Sequence, residues 1–441
     1  MTAASRPAGI GWFGIVRLGA VQAAIGAMVM LATSLLNRVM VVEYSVAAAV
    51  PAALVGWHYA VQLTRPAWGH KSDNARNRSN WIIAGMGILS FGAILAVDAT
   101  ILMADPGAGT VILAIISFTM IGFGVGMAGT ALLALLASRV AAERKPAAAA
   151  ISWTMMIAGI VLAAGLSGAF LDPFSPPRLA IVCSIVVLAA FSVAMIALYN
   201  LERDNPPVAP PDAAPGAQSL GDTLREIWAE KEARRFTYFV FISMLSYSMQ
   251  DLIMEPFAGF LFAMTPGEST QLSSIQHGGI LVGMLIAGVG GSYFARRFSQ
   301  TIKLWIVVGC LGSAVTLAGL SVAATQGTSW PLRANVFGLG VANGVFAVAA
   351  VGAMLGLASK GRGAGEGARM GVWGAAQAIA FGLGGLAGAV MVDRLRAITG
   401  QDGAAFQIVF SIEAVLFVLA AVVATGTTLV RAAPAQKELP A

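Results

Sequence analysis

Asp251 and Glu255 interrupt an apolar run that begins near Phe236 and ends near Met264. Four residues apart, they fall on one face of a helix. Pro256 follows directly, removing a backbone donor and disturbing the turn before it. Acids at mid-depth in an apolar helix must be paired, protonated or turned toward a cavity. A second polar set lies in Leu36-Asn37-Arg38-Val39-Met40-Val41-Val42-Glu43. With the two runs laid side by side, Asn37-Arg38 falls opposite Gln250-Asp251, and Glu43 near Glu255. An Arg38–Asp251 ion pair is therefore expected, neutralising two charges that are costly in an apolar setting. Such a pair could hold two parts of the chain together or take part in ligand or proton chemistry. It leaves Glu255 as the free acid.

Of the three histidines, His70 sits in a polar loop, while His58 and His277 lie within or at the start of apolar runs. A histidine in that setting is either a ligand or a hydrogen-bonded packing residue, and both roles stay open. No catalytic set is visible: there is no P-loop, HExxH, GxSxG or Cys/His cluster. Gly124-Val125-Gly126-Met127-Ala128-Gly129 matches GxGxxG, but it lies inside an apolar run with no strand before it, which excludes dinucleotide binding. Asp251-x-x-x-Glu255 is half of an aspartate-rich prenyltransferase site, and without a second acidic motif it cannot hold the metals a diphosphate needs. Cys183 and Cys310 have no CxxC spacing and read as packing residues.

The elements that position these residues are transmembrane helices. The 441 residues are 58% hydrophobic and 11% charged, with mean hydropathy +0.79. Soluble domains carry roughly 25% charged residues, so this is an integral membrane protein. Runs of spanning length, about 20 residues, are expected near 14–42, 46–66, 81–103, 110–138, 147–170, 179–200, 235–263, 273–295, 302–324, 332–357, 368–391 and 404–431. The first is a retained helix rather than a signal peptide, because Arg17 interrupts it and no cleavage-like site follows. Of 27 Lys and Arg residues, only Arg38, Arg178, Arg333, Arg394 and Arg396 fall on the side opposite the termini. By the positive-inside rule both termini are cytoplasmic, and the net charge of +6 is loop bias rather than a nucleic-acid signal.

A polar stretch splits the chain into an N-terminal six-helix half (1–200), a linker (201–232) and a C-terminal six-helix half (233–441). Pro206, Pro207, Pro210, Pro211 and Pro215 keep the first part of the linker unfolded. Leu220, Leu224, Ile227 and Trp228 give the second part an amphipathic, interfacial helix. GxxxG spacings at Gly122/Gly126, Gly279/Gly283, Gly340/Gly344, Gly352/Gly356 and Gly384/Gly388 predict close helix packing.

Arg65-Pro66-Ala67-Trp68-Gly69 with Ser72-Asp73 follows the second helix, and Gly291–Arg297 follows the eighth. Both resemble the Gly-x-x-x-Asp-x-x-Gly-Arg-Arg loop of the major facilitator superfamily, whose plan is an all-α, twelve-helix 6+6 pseudo-twofold bundle. Other stretches narrow the likeness: Arg17–Gln22, Leu36–Glu43, His58–Gln62, Glu232-Ala233-Arg234-Arg235-Phe236, Gln250-Asp251-x-x-x-Glu255-Pro256-Phe257, Thr265–Thr270, Gln276-His277-Gly278-Gly279 and Gly371-x-Trp373-Gly374-Ala375-x-Gln377. Together they resemble the PucC/LhaA light-harvesting assembly proteins of purple bacteria, a branch of that superfamily.

The resemblance implies a non-enzymatic protein of the bacterial cytoplasmic (intracytoplasmic) membrane. It would bind bacteriochlorophyll as cargo and deliver it to antenna polypeptides, of the core antenna (LH1) more than of LH2. Its other partners would be the lipid bilayer, the reaction-centre core complex and pigment-synthesis enzymes, with no nucleic acid. Glu255, His58, His277, Gln250, Asn37 and Gln22 are the candidate pigment-binding residues, by position. His58, His277 or Glu255 could give the magnesium its axial ligand. Two other functions fit the same features: a proton-coupled secondary transporter using Asp251 and Glu255, and a pigment-free scaffold for antenna assembly.

Overall fold

A computed structural model describes residues 9–65, 77–140, 144–203, 228–295, 301–358 and 366–426, together with Arg225. The expected interfacial helix near Leu220–Trp228, the His70 loop and the Arg296-Arg297 loop fall largely outside these residues. Among the described residues there are twelve long helices and no strand: α1 (Trp12–Glu43), α2 (Ala49–Val61), α3 (Arg78–Leu102), α4 (Ala108–Arg139), α5 (Lys145–Leu171), α6 (Pro176–Leu198), α7 (Lys231–Phe262), α8 (Pro266–Ala295), α9 (Thr301–Gln326), α10 (Leu332–Ala358), α11 (Glu366–Thr399) and α12 (Asp402–Thr425). Nine of the twelve are long and apolar enough to cross a membrane unaided. The remaining three are α2, only 13 residues long, and α7 and α8, which carry the polar residues of interest. The chain is a multi-pass membrane protein.

Helix starts follow local chemistry. Asn77 caps α3 by accepting from the Ser79 N–H at 3.2 Å, and Ser175 caps α6, where Pro176 and Pro177 give up no needed donor. Thr265 and Glu268 form a reciprocal capping box, so α8 begins at Pro266 rather than near residue 273.

Packing repeats with a period of six helices. In the first half α1 packs on α5 and α6, α4 on α2 and α3, and α3 on α6. In the second, α7 packs on α11 and α12, α10 on α8 and α9, and α9 on α12. Between the halves, α5 packs on α8 and α2 on α11. Each of these contacts thus has a mate six helices away. Glycines permit the tightest of them. A Cβ at Gly279 or Gly283 would strike the α10 backbone, and one at Gly340 or Gly344 would strike the α8 backbone. These two GxxxG pairs therefore interlock. Gly384 and Gly388 similarly admit the α7 backbone at Leu245 and Met249.

At the end opposite the chain's first and last described helix ends, two carboxylates bridge the halves. Asp172, just after α5, accepts from Thr265 Oγ1 at 2.5 Å and from the Gly267 N–H at 3.2 Å, at the start of α8. Asp393 on α11 accepts from the Ala48 and Ala49 N–H groups at 3.1 and 2.8 Å, at the start of α2. Both are carboxylates on a helix N-terminus, where orphan donors and the helix dipole favour an anion. They are also pseudo-twofold mates, since α5 corresponds to α11 and α8 to α2.

Candidate functional site

The site lies in the seam where α1 and α2 meet α7, α8 and α11. Tyr247, Asp251 and Glu255 follow each other at helical spacing on α7, and Ser269, Ser273 and His277 do so on α8. Glu255 is buried, and its Oε1 accepts from Ser34 Oγ of α1. Ser34 Oγ also lies 3.0 Å from Ser273 Oγ, and Glu255 Oε2 has no partner among the described residues. Asp251 is half-buried, within electrostatic reach of Tyr59, Tyr247 and His277.

The expected Arg38–Asp251 pair does not form. Arg38, 1% exposed, makes its ion pair with Glu43. Its Nε donates to Ser269 Oγ at 3.0 Å and its Nη2 to the Met264 carbonyl at 2.7 Å. The physical reason is the local helix form. Leu31–Leu35 and Val39–Glu43 are π-helical turns, and the Tyr44 N–H bonds to the Val39 carbonyl five residues back. That winding brings residues five apart onto one face, so Glu43 reaches Arg38, whereas α-helical spacing would carry it away.

Asn37 is committed to another task. Pro256 has no N–H for the carbonyl four residues before it, that of Leu252. Asn37 Nδ2 donates to that carbonyl at 2.7 Å, from the other half of the molecule.

The two candidate histidines differ in what they leave available. The His58 Nε2 accepts from Gln62 Nε2 at 2.7 Å, since an amide nitrogen can only donate, and so its lone pair is used. The His277 Nδ1 lies 2.9 Å from the Ser273 carbonyl, to which it must donate. In the neutral imidazole the lone pair is then on Nε2, which bonds to no described residue. A backbone carbonyl fixing Nδ1–H is how proteins orient a ligating imidazole. The seam also holds aromatic rings from both halves near Asp251: Tyr59 stacks on His58 at 4.7 Å, and Phe381 lies 5.7 Å from both Tyr59 and Tyr247.

Two candidates fall elsewhere. Gln250 is fully buried on the face of α7 that packs on α12, between Ser246, which donates to the Glu413 carbonyl at 2.9 Å, and Phe257, which packs on Phe406 and Phe410. Gln22 sits in the α1–α5 seam, with Nε2 3.2 Å from Met156 Sδ.

Sequence reasoning missed several residues of the seam. Ser34, Ser269 and Ser273 carry no distinctive spacing of their own, although the last two lie on the His277 face. Tyr247 sits four residues before Asp251, a signal that was present. Glu413 of α12 was also missed; it is fully buried with both carboxyl oxygens unpartnered among the described residues. Among the described residues no His/Cys/Asp/Glu group could form a metal centre by itself.

Two six-helix halves related in this way, with polar residues gathered in the seam, define a major facilitator-type membrane protein. The solved structures agree on the fold. A bacterial homolog of the human lysosomal transporter Spinster, inward-facing and unoccupied, superposes with TM-score 0.71 at 15% identity, covering 97% of this chain and 100% of that one. A D-xylose-proton symporter superposes with TM-score 0.68, also at 15% identity, covering 94% and 96%.

Within that class the sequence is more specific. The family model described as "PUCC protein" matches residues 35–432, and the chain belongs to that family. The "Bacteriochlorophyll synthase 44.5 kDa chain" of Rhodobacter capsulatus is 47% identical over 424 residues, covering 96% of this chain and 97% of that one. "Protein PucC" of Cereibacter sphaeroides is 29% identical over 420 residues, covering 91% and 88%.

Proposed function

We propose that this protein is a light-harvesting assembly factor that binds bacteriochlorophyll in the seam between its halves and passes it to antenna polypeptides. The core antenna (LH1) is the first choice of recipient. The observation that carries this reading is His277, buried in the seam with Nδ1 held by the Ser273 carbonyl and Nε2 bonded to no described residue, in a seam that also holds Tyr59, Tyr247 and Phe381. A magnesium macrocycle needs one axial donor, flat apolar walls and exclusion of water, and a buried imidazole in a seam with aromatic side chains supports that role. Glu255 and Asp251 would then meet the polar substituents of the ring, while the phytyl tail follows apolar helix faces. His58, with its lone pair used by Gln62, would line the pocket without ligating. The protein's part is to bind, orient and shield a nearly insoluble, photoreactive cargo. The PucC family match and the transporter-like fold support a carrier, while the 47% identical relative bears a synthase name. The bias of Lys and Arg supports an inner-membrane protein with cytoplasmic termini.

Protein purified from a photosynthetic host is expected to show near-infrared absorption. His277→Ala should remove most of that band, while His58→Ala keeps it. Equal loss in both variants would overturn His277 as the ligand, and colourless wild-type protein would overturn the carrier reading. A second reading, a proton-coupled transporter, draws on the two acids in the seam. Substrate-dependent acidification of liposomes by colourless protein would favour it.

A further inference from the structure

The geometry points to a binding site for an anionic phospholipid at the α7–α12 groove, outside the seam and independent of what the seam carries. The groove has a volume of about 510 Å3 and is lined by Lys231, Arg234, Arg235, Tyr238, Ile242, Val422, Val423 and Gly426. Its composition divides along its length. Lys231, Arg234 and Arg235, at positions i, i+3 and i+4, place three cations on one face at the start of α7. Below them Tyr238, Ile242, Val422 and Val423 form an apolar channel, with Val422 60% exposed toward the lipid-facing side. Among the described residues no acidic side chain lines it.

The groove sits where a headgroup would. Trp228 and Tyr238 meet edge to face at 5.7 Å, both about half exposed, the placement of interfacial aromatics at a membrane surface. Arg235 donates to the Gly426 carbonyl at 2.8 Å, tying α7 to the end of α12 and fixing the mouth of the groove. Arg234 makes one long bond, 3.4 Å, to the Trp228 carbonyl, and Lys231 bonds to no described residue. Lys231, the weakly held Arg234 and the apolar channel beneath them match a phosphodiester headgroup with an acyl chain. A soluble anion would use only the first half of the groove, and a zwitterionic lipid would gain less from three cations.

The test is native mass spectrometry of the full chain, purified from a host that makes no photosynthetic pigment or antenna, titrated with phosphatidylglycerol and phosphatidylcholine in competition. Wild-type protein should retain phosphatidylglycerol with at least roughly tenfold preference, and Lys231→Gln should weaken it by about fivefold. The triple variant Lys231→Gln, Arg234→Gln, Arg235→Gln should lose the preference. Equal retention of the two lipids by wild-type protein would overturn the proposal without reference to any variant. So would an unchanged preference in the triple variant, or a copurifying polypeptide that excludes phosphatidylglycerol from the groove. Inorganic phosphate competing as well as the lipid would show that the channel contributes nothing, and would overturn it too.

Discussion

Pro256 and Asn37 form a unit that spans the two halves. The proline withdraws a donor from α7, the Leu252 carbonyl is left without its helical partner, and Asn37 of α1 fills the gap at 2.7 Å. A buried carbonyl left unsatisfied is costly, and interhelical hydrogen bonds in membranes are individually modest. Asn37→Leu should therefore destabilise the protein by about 1 kcal/mol. In a Pro256→Ala background the helix regains its own N–H donor, and the cost of Asn37→Leu should shrink toward zero. Denaturation of the four proteins of this double-mutant cycle measures the coupling, and additivity would refute the link. Much of the residue level was legible in the sequence. The Asp251/Glu255 spacing does put both acids on the seam; that His277 comes within electrostatic reach of Asp251 emerged only from the fold. The ion pair was not legible, because the π-helical winding after Arg38 has no signature that an α-helical register can detect. Nor was the difference between the histidines, which depends on a glutamine one turn away from one and a carbonyl one turn away from the other.

At the level of helices, small residues govern how closely the second half packs. Gly279 and Gly283 of α8 interlock with Gly340 and Gly344 of α10, backbone against backbone. Replacing Gly283 with Leu would force the pair apart, with an overpacking cost of about 1–3 kcal/mol or more, since backbone rather than a flexible side chain blocks the space. A lowered melting temperature in detergent checks this, and Gly288→Leu, where nothing lies within 4 Å of the added atom, serves as the unaffected control. These pairs were visible in the sequence as GxxxG spacings, but their partners were not, because spacing reveals a small face and never what lies against it. The start of α8 was likewise within reach. Thr265-x-x-Glu268 is a capping-box pattern, yet hydropathy alone places the helix start at the first sustained apolar stretch.

For the whole molecule, the twelve-helix plan was legible from hydropathy and charge, because lipid demands long helices with satisfied backbones. The contacts that hold the halves together were not. Asp172 and Asp393 are ordinary loop and helix-end acids in the sequence, and only the fold brings each to a helix start in the other half. Removing one should loosen that end of the seam. With single cysteines introduced near it, Asp393→Ala or Asp172→Ala should raise the rate of labelling by a membrane-impermeant thiol reagent several-fold. The double variant should exceed either single, and unchanged labelling would show that closure rests elsewhere.

The two acids differ from an ion pair in one further respect. Asp393 grips main-chain N–H groups only, so at that contact the receiving half offers no side chain that mutation could remove, whereas Asp172 grips one main-chain N–H and the Thr265 hydroxyl. Each half supplies one of the two carboxylates. Because each half moves with its own packed core, separating them at this face strains both grips in the same motion. Two such grips released in one motion would favour a clasp, shut or open, over a hinge resting at intermediate angles. A carrier of the kind proposed above would gain from that property, since partial opening would let its cargo meet water.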